Sequence, residues 1–175
     1  KTVYPVAIDQ PRPDTFVVDM GQNFAGVINF EVEAPKGTEI VFRYTELLHP
    51  DGTIDWRTTA ATQIKKGGIK GGPGAPETAW QEDRYICKGE GVEVFQPAFT
   101  FHGFRYVEIS GLPYAPSLNQ IKGIRMNTDL PDAGAFTCSN PLFNKIQEIT
   151  EWTMLSNVFS IESDCPAREK FGYGG

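Results

Sequence analysis

The chain has 175 residues, of which 40% are apolar, and a formal net charge of −6. That apolar content supplies a sizeable core and excludes global disorder. The acidic balance argues against a nucleic-acid backbone or an anionic membrane as partner, since both require clustered Lys and Arg, and there is no run of about 18 apolar residues to span a bilayer.

The length suits one domain plus the edge of a second. No basic segment followed by an apolar stretch opens the chain as a signal peptide would, and Lys1-Thr2-Val3-Tyr4 reads like the interior of a protein. From Asp14 to Leu47 the apolar period is two. Phe24, Ile28, Phe30 and Val32 fall on one face and Asn29, Glu31 and Glu33 on the other, the pattern of a half-buried strand. After the turn chemistry of Ala34-Pro35-Lys36-Gly37, Ile40, Phe42 and Tyr44 share a face, with Glu39, Arg43 and Thr45 opposite. Two such strands across a short turn predict an antiparallel hairpin with one face on a core.

Residues 48–79 lack sustained periodicity and read as a long loop. It carries the turn signal Asp51-Gly52 and a glycine-rich run from Lys65 to Gly74. That run lacks the Gly-Lys-Ser/Thr order and the strand–helix context of a phosphate loop. Strand character resumes over 80–87 and 92–95. It is strongest over 101–110, where Phe104, Tyr106, Val107 and Ile109 leave neither face fully polar, as befits the middle of a layered structure. Gly111-Leu112-Pro113 ends that strand and a last β-like run covers 121–126. Many short strands split by Gly and Pro, without alternating long helices, predict a mainly β fold over residues 1–131: an antiparallel, jelly-roll-like β-sandwich.

The period then changes. Ser139-Asn140-Pro141 is a helix start, with a polar cap and Pro in the first turn. Leu142, Phe143, Ile146, Ile149, Thr150 and Thr153 recur at helical spacing to about Asn157, an apolar stripe with no later helix to cover it. A domain boundary is expected near Leu130-Pro131-Asp132-Ala133-Gly134, so that residues 132–175 hold a linker, one helix and an irregular, acid-containing segment.

Cys87, Cys138 and Cys165 make an odd, widely spaced set, neither a disulfide framework nor a zinc pattern, and read as small buried thiols. His49 and His102 are the only histidines and neither has a serine-nucleophile context. The chemistry-bearing residues crowd near the end instead: Glu162, Asp164, Arg168 and Glu169. Clustered carboxylates suit glycoside cleavage, in which one protonated acid donates to the leaving oxygen and a second carboxylate activates water or attacks. The same residues in a solvated turn would need no function at all.

Asp164-Cys165-Pro166-x-Arg168-Glu169-Lys170-x-Gly172-x-x-Gly175 resembles the acid-bearing motif of bacterial α-L-rhamnosidases of the inverting type, glycoside hydrolase family 78. Earlier segments resemble the β-sandwich that precedes the catalytic barrel in that family: Phe16 to Gly26, Tyr44-Thr45-Glu46-Leu47-Leu48 with Asp51-Gly52, Asp83-Arg84-Tyr85, and Phe95 to Val107. Cys138 to Asn144 resembles the first helix of the (α/α)₆ barrel. The resemblance implies that Glu169 is the general acid, that Asp164 contacts the rhamnose hydroxyls, and that Arg168 contacts the substrate or a group that binds it. Tyr173 stands where the family usually has a sugar-facing Trp. The motif's closing Asp would follow Gly175, and the general base belongs to a part of the barrel farther along. The chain thus reads as a fragment of a rhamnosidase, inactive alone, with a rhamnose-containing glycan or glycoside and the rest of the barrel as its partners. Neither a cofactor nor a metal is implied. Two other readings treat the sandwich as a carbohydrate-binding module, with Trp56 and Trp80 as stacking surfaces, or as a brace for the barrel. Trp80 is expected to pack within its strand and Trp56 to be the more open of the two.

Overall fold

The structure is a computed structural model that describes residues 1–62, 78–168, 170 and 172. In chain order it contains β1 (Thr2–Val3), β2 (Ala7–Arg12), β3 (Thr15–Val32), β4 (Glu39–Thr45), β5 (Ala61–Thr62), β6 (Thr78–Ala79), β7 (Glu82–Ile86), β8 (Glu93–Phe95), β9 (His102–Ser110), β10 (Ile121–Arg125), α1 (Pro141–Asn157), β11 (Val158–Phe159) and β12 (Ile161–Glu162). Eight strands form one antiparallel sheet in the order β1-β10-β3-β9-β4-β7, with β2 and β8 also paired to β3. β5 with β6 and β11 with β12 make two separate ribbons.

β3 organises the sheet. Its start, Thr15–Asp19, lies between β2 and β9, whereas further along Gly26–Phe30 pairs with β10 and Phe30–Val32 with β8. The register against β9 slips between Asp19 and Phe24. Within that slip Gly21 has φ +71°, a conformation open to glycine without a Cβ penalty, and the Asp19 carboxylate accepts its N–H at 2.7 Å. An irregularity of this kind bends a strand and sharpens its twist. Phe16, Val18 and Met20 before the bend and Phe24, Ile28, Phe30 and Val32 after it therefore line a single core. Across it Phe42 of β4 meets Phe30 at 5.4 Å and stacks on Phe95 of β8 at 5.1 Å, while Tyr85 of β7 meets Phe95 at 5.1 Å. The bent sheet packs around that core as a sandwich.

The expected inward faces are observed: Ile40, Phe42 and Tyr44 are buried alongside the β3 set. The expected hairpin is not. β9 lies between β3 and β4 and pairs with both, so residues 33–38 cross over a strand instead of closing a hairpin. The apolar content of β9 on both faces explains its central place, since Phe104, Val107 and Ile109 all enter the core. Thr45, expected to face outward, is buried because its hydroxyl is bonded within the following loop, donating to the Asp55 carbonyl at 2.7 Å.

Of the long loop, residues 63–77 lie outside the described residues. Its first part is ordered by a Leu48–Ile54 bridge, a single 3-10 turn at Trp56–Thr58, and the Thr59 hydroxyl donating to the Tyr44 carbonyl at 2.7 Å. The strand expected from residue 80 starts at Glu82. Trp80 precedes it and is 51% exposed against 41% for Trp56, reversing the expected order.

Asn140 caps α1 by accepting the Leu142 N–H at 3.0 Å, and Pro141 opens its first turn. The helix is seated on the sandwich near its end. Trp152 packs against the core cluster, with the Lys1 and Arg125 cations 5.6 and 5.4 Å from the centre of its ring. Leu142, Phe143, Ile146 and Ile149 remain exposed, as the unpartnered stripe predicts. Cys87 is buried, but Cys138 and Cys165 are partly exposed, contrary to the expectation of three buried thiols.

Candidate active site

The acid motif follows the ribbon of β11 and β12, and the ribbon is anchored before the motif begins. Phe159 of β11 stacks on Phe101 at 4.2 Å. The Ser160 N–H donates to the Thr128 hydroxyl at 2.6 Å, and the Ser163 N–H to the Asn157 carbonyl at 2.8 Å. Ser163 also forms an isolated bridge with Gly172, so the residue before Asp164 lies beside Gly172.

That loop rests on β9. A Cβ built on Gly103 would lie 2.9 Å from Pro166 Cγ, 3.1 Å from Pro166 Cβ and 3.2 Å from Ala167 Cβ. Only a residue without a side chain admits so close an approach, and Ala167 is buried as a result. On the far side of position 169, Lys170 takes a left-handed conformation, φ +56°, which costs a non-glycine residue on the order of 1 kcal/mol. Its ammonium donates to the Phe101 carbonyl at 2.5 Å and sits 4.2 Å from the centre of the Phe101 ring. Burial pulls the Lys170 ammonium below the usual lysine range, and the Asp83 carboxylate opposes that pull.

Asp83 belongs to a polar cluster on the sandwich. It accepts the Tyr44 hydroxyl at 2.8 Å and faces His102 Nε2 at 2.9 Å, while Gln81 Oε1 lies 2.8 Å from His102 Nδ1. The Tyr44 ring stacks on His102 at 4.0 Å. Burial, then the Asp83 charge, raises the Tyr44 phenol far above its ordinary value, so it stays a donor. The loop thus has two supports: an apolar one at Gly103 and a cationic one at Lys170.

Of the four expected site residues, Asp164 and Arg168 are described and both are exposed, at either end of the Cys165–Ala167 turn. One Asp164 carboxylate oxygen accepts the Cys165 N–H at 2.8 Å. Glu169 and Tyr173 lie outside the described residues. Among the described residues no group of three or more His, Cys, Asp and Glu side chains is placed to hold a metal ion. The sequence reading placed Tyr44, Asp83, Phe101, His102 and Gly103 in segments that resemble the family's sandwich but gave them no part in holding the motif. The local signal for that part was an otherwise costly glycine and a histidine inside the most apolar strand.

Residues 9–127 match the family described as the bacterial alpha-L-rhamnosidase concanavalin-like domain. The chain belongs to that family. Residues 131–175 match a second rhamnosidase family, the six-hairpin glycosidase domain. Among curated relatives, an alpha-L-rhamnosidase of Streptomyces avermitilis is 37% identical over 172 residues, covering 96% of this chain and 15% of that protein. Another, of Formosa agariphila, is 39% identical over 160 residues, covering 91% of this chain and 16% of its own length. The solved structure of the alpha-L-rhamnosidase from Dictyoglumus thermophilum superposes with a TM-score of 0.84 at 40% identity, over 97% of this chain and 17% of that one. The chain therefore spans about one sixth of the length of these rhamnosidases.

Proposed function

We propose that this chain is the sandwich and the opening of the catalytic domain of an inverting α-L-rhamnosidase, divided near residue 131, and that Glu169 protonates the departing glycosidic oxygen. Asp164 binds rhamnose hydroxyls, Arg168 contacts the substrate or a group that binds it, and Tyr173 offers the sugar an aromatic face. A carboxylate elsewhere in the barrel activates water from the opposite side, roughly 6.5–9.5 Å from the acid. Asp164 and Glu169 are thus one binding carboxylate and one acid, not a catalytic pair.

The observation that carries this reading is the double support of the motif. A solvated turn has no need of a glycine seat at Pro166 and Ala167 or of a half-buried lysine on Phe101. Both supports come from the sandwich, so the sandwich serves as the brace for the acid loop. The exposed stripe of α1 is the surface on which the rest of the barrel packs.

The test is hydrolysis of 4-nitrophenyl α-L-rhamnopyranoside by the chain alone and by a protein in which the barrel is continued. The chain alone is expected to give no turnover. The longer protein is expected to release β-L-rhamnose first by proton NMR, and E169Q to lower its rate by about 10²–10⁴. Initial release of the α-anomer, or an active E169Q, would refute the assignment.

A further inference from the structure

A second cleft opens on the sandwich, away from the acid loop. It encloses about 330 Å³, the lower end of the ~300–1,000 Å³ typical of small-ligand sites. Arg12 of β2, Arg43 of β4 and Glu108 of β9 line it together with His49, Trp56 and Trp80 of the loop region. Glu108 is five residues along β9 from Gly103, roughly 16 Å at ~3.3 Å per residue.

The two tryptophans meet at 5.1 Å and 63°, forming an aromatic corner with both rings part-open to solvent. Glu108 is 8% exposed, and burial raises its carboxyl above the ordinary value. Its one ion pair, to Arg43, is long at 3.8 Å, while Arg43 gives its short bond to Glu82 at 2.7 Å. Among the described residues no hydrogen bond reaches the Glu108 side chain. A carboxylate in so enclosed a place normally gathers several donors, and this one keeps its oxygens open to the cleft that it lines.

We propose that this cleft is a second carbohydrate site, which takes a pyranose ring of a neutral glycan. Hydroxyl groups donate to Glu108 and accept from Arg12 and Arg43, and the apolar edge of the ring lies in the Trp56–Trp80 corner. Arg43 is already neutralised by Glu82 at 2.7 Å, which leaves Arg12 against Glu108, so a ligand carrying a net charge gains nothing over a neutral one. The inference is independent of the role given to Glu169.

The chain is titrated with methyl α-L-rhamnopyranoside, methyl β-D-glucopyranoside and methyl β-D-galactopyranoside, followed by tryptophan fluorescence and saturation-transfer NMR. At least one is expected to saturate with a Kd on the order of 1 mM, and W56A and E108Q are each expected to weaken it about tenfold. W80A is a further variant at an exposed position, usable should E108Q disturb the sheet. No saturation by any of the three up to about 100 mM, or binding left unchanged in W56A and W80A, overturns the proposal. The readout is binding without turnover, so the result stands or falls separately from the rhamnosidase assignment.

Discussion

Gly103→Val isolates the seat of the acid loop. Its Cβ would stand 2.9–3.2 Å from three carbon atoms of Pro166 and Ala167, where carbon pairs prefer about 3.5–4.0 Å. The two added methyl groups have no room beyond that. Overpacking of this kind costs about 1–3 kcal/mol, offset by about 0.5–1 kcal/mol because glycine is a poor strand residue. The net loss, up to about 2.5 kcal/mol, divided by an m-value of about 2 kcal/mol/M gives a fall in the urea midpoint of up to about 1.2 M. The strain has a cheap outlet, displacement of the loop, whereas Phe104 beside it is fixed in the core. Amide exchange is therefore expected to quicken across residues 163–172 and to stay slow in β3 and β9. Unchanged exchange in the loop, or quickened exchange confined to β9, would refute the argument that Gly103 exists to seat it.

Lys170→Met keeps the stem over Phe101 but removes the bond to its carbonyl; exchange across 163–172 should rise while the urea midpoint moves by less than in Gly103→Val. Tyr44→Phe strips a donor from the buried face of Asp83 and should cost about 1–3 kcal/mol in chemical denaturation. Glu93 accepts from the Tyr85 hydroxyl at 2.5 Å and from the N–H groups of Lys88 and Gly89, and these bonds hold its carboxyl at about 2 against an ordinary 4.5. A folded-state value below the unfolded one contributes stability that is complete above about 4.5 and is lost as pH falls toward 2. Melting temperatures between those limits should drop less steeply in Glu93→Gln than in the parent chain. The exposed stripe of α1 is expected to make the chain self-associate, and Ile146→Lys, which interrupts it, should lower the mass seen by light scattering.

The strands of the sandwich were legible because apolar residues recur at every second position, as Ile28, Phe30 and Val32 and again Ile40, Phe42 and Tyr44 do. Their pairing was not, because alternation specifies a face and says nothing of a neighbour. Proximity in sequence favoured joining β3 to β4, and the wider apolar content of β9 won the place between them. The helix start was readable from Asn140-Pro141, where the cap chemistry is local. The openness of Trp80 was not, since it depends on where β7 begins. For the site, the motif drew attention to Asp164, Arg168 and Glu169 by crowding of charge. What holds that motif is recorded more than sixty residues earlier in Phe101 and Gly103, through contacts that no local pattern encodes.

The eighteen residues of β3 contribute to both layers of the sandwich. In a sandwich made of two separate sheets, one sheet can peel from the other by opening the apolar seam alone. Here both layers share β3, whose chain runs through the bend, so one cannot be drawn away without disturbing the pairing of the other. Among the described residues the strands on either side of the bend are thus tied together, so the sandwich should melt in a single step.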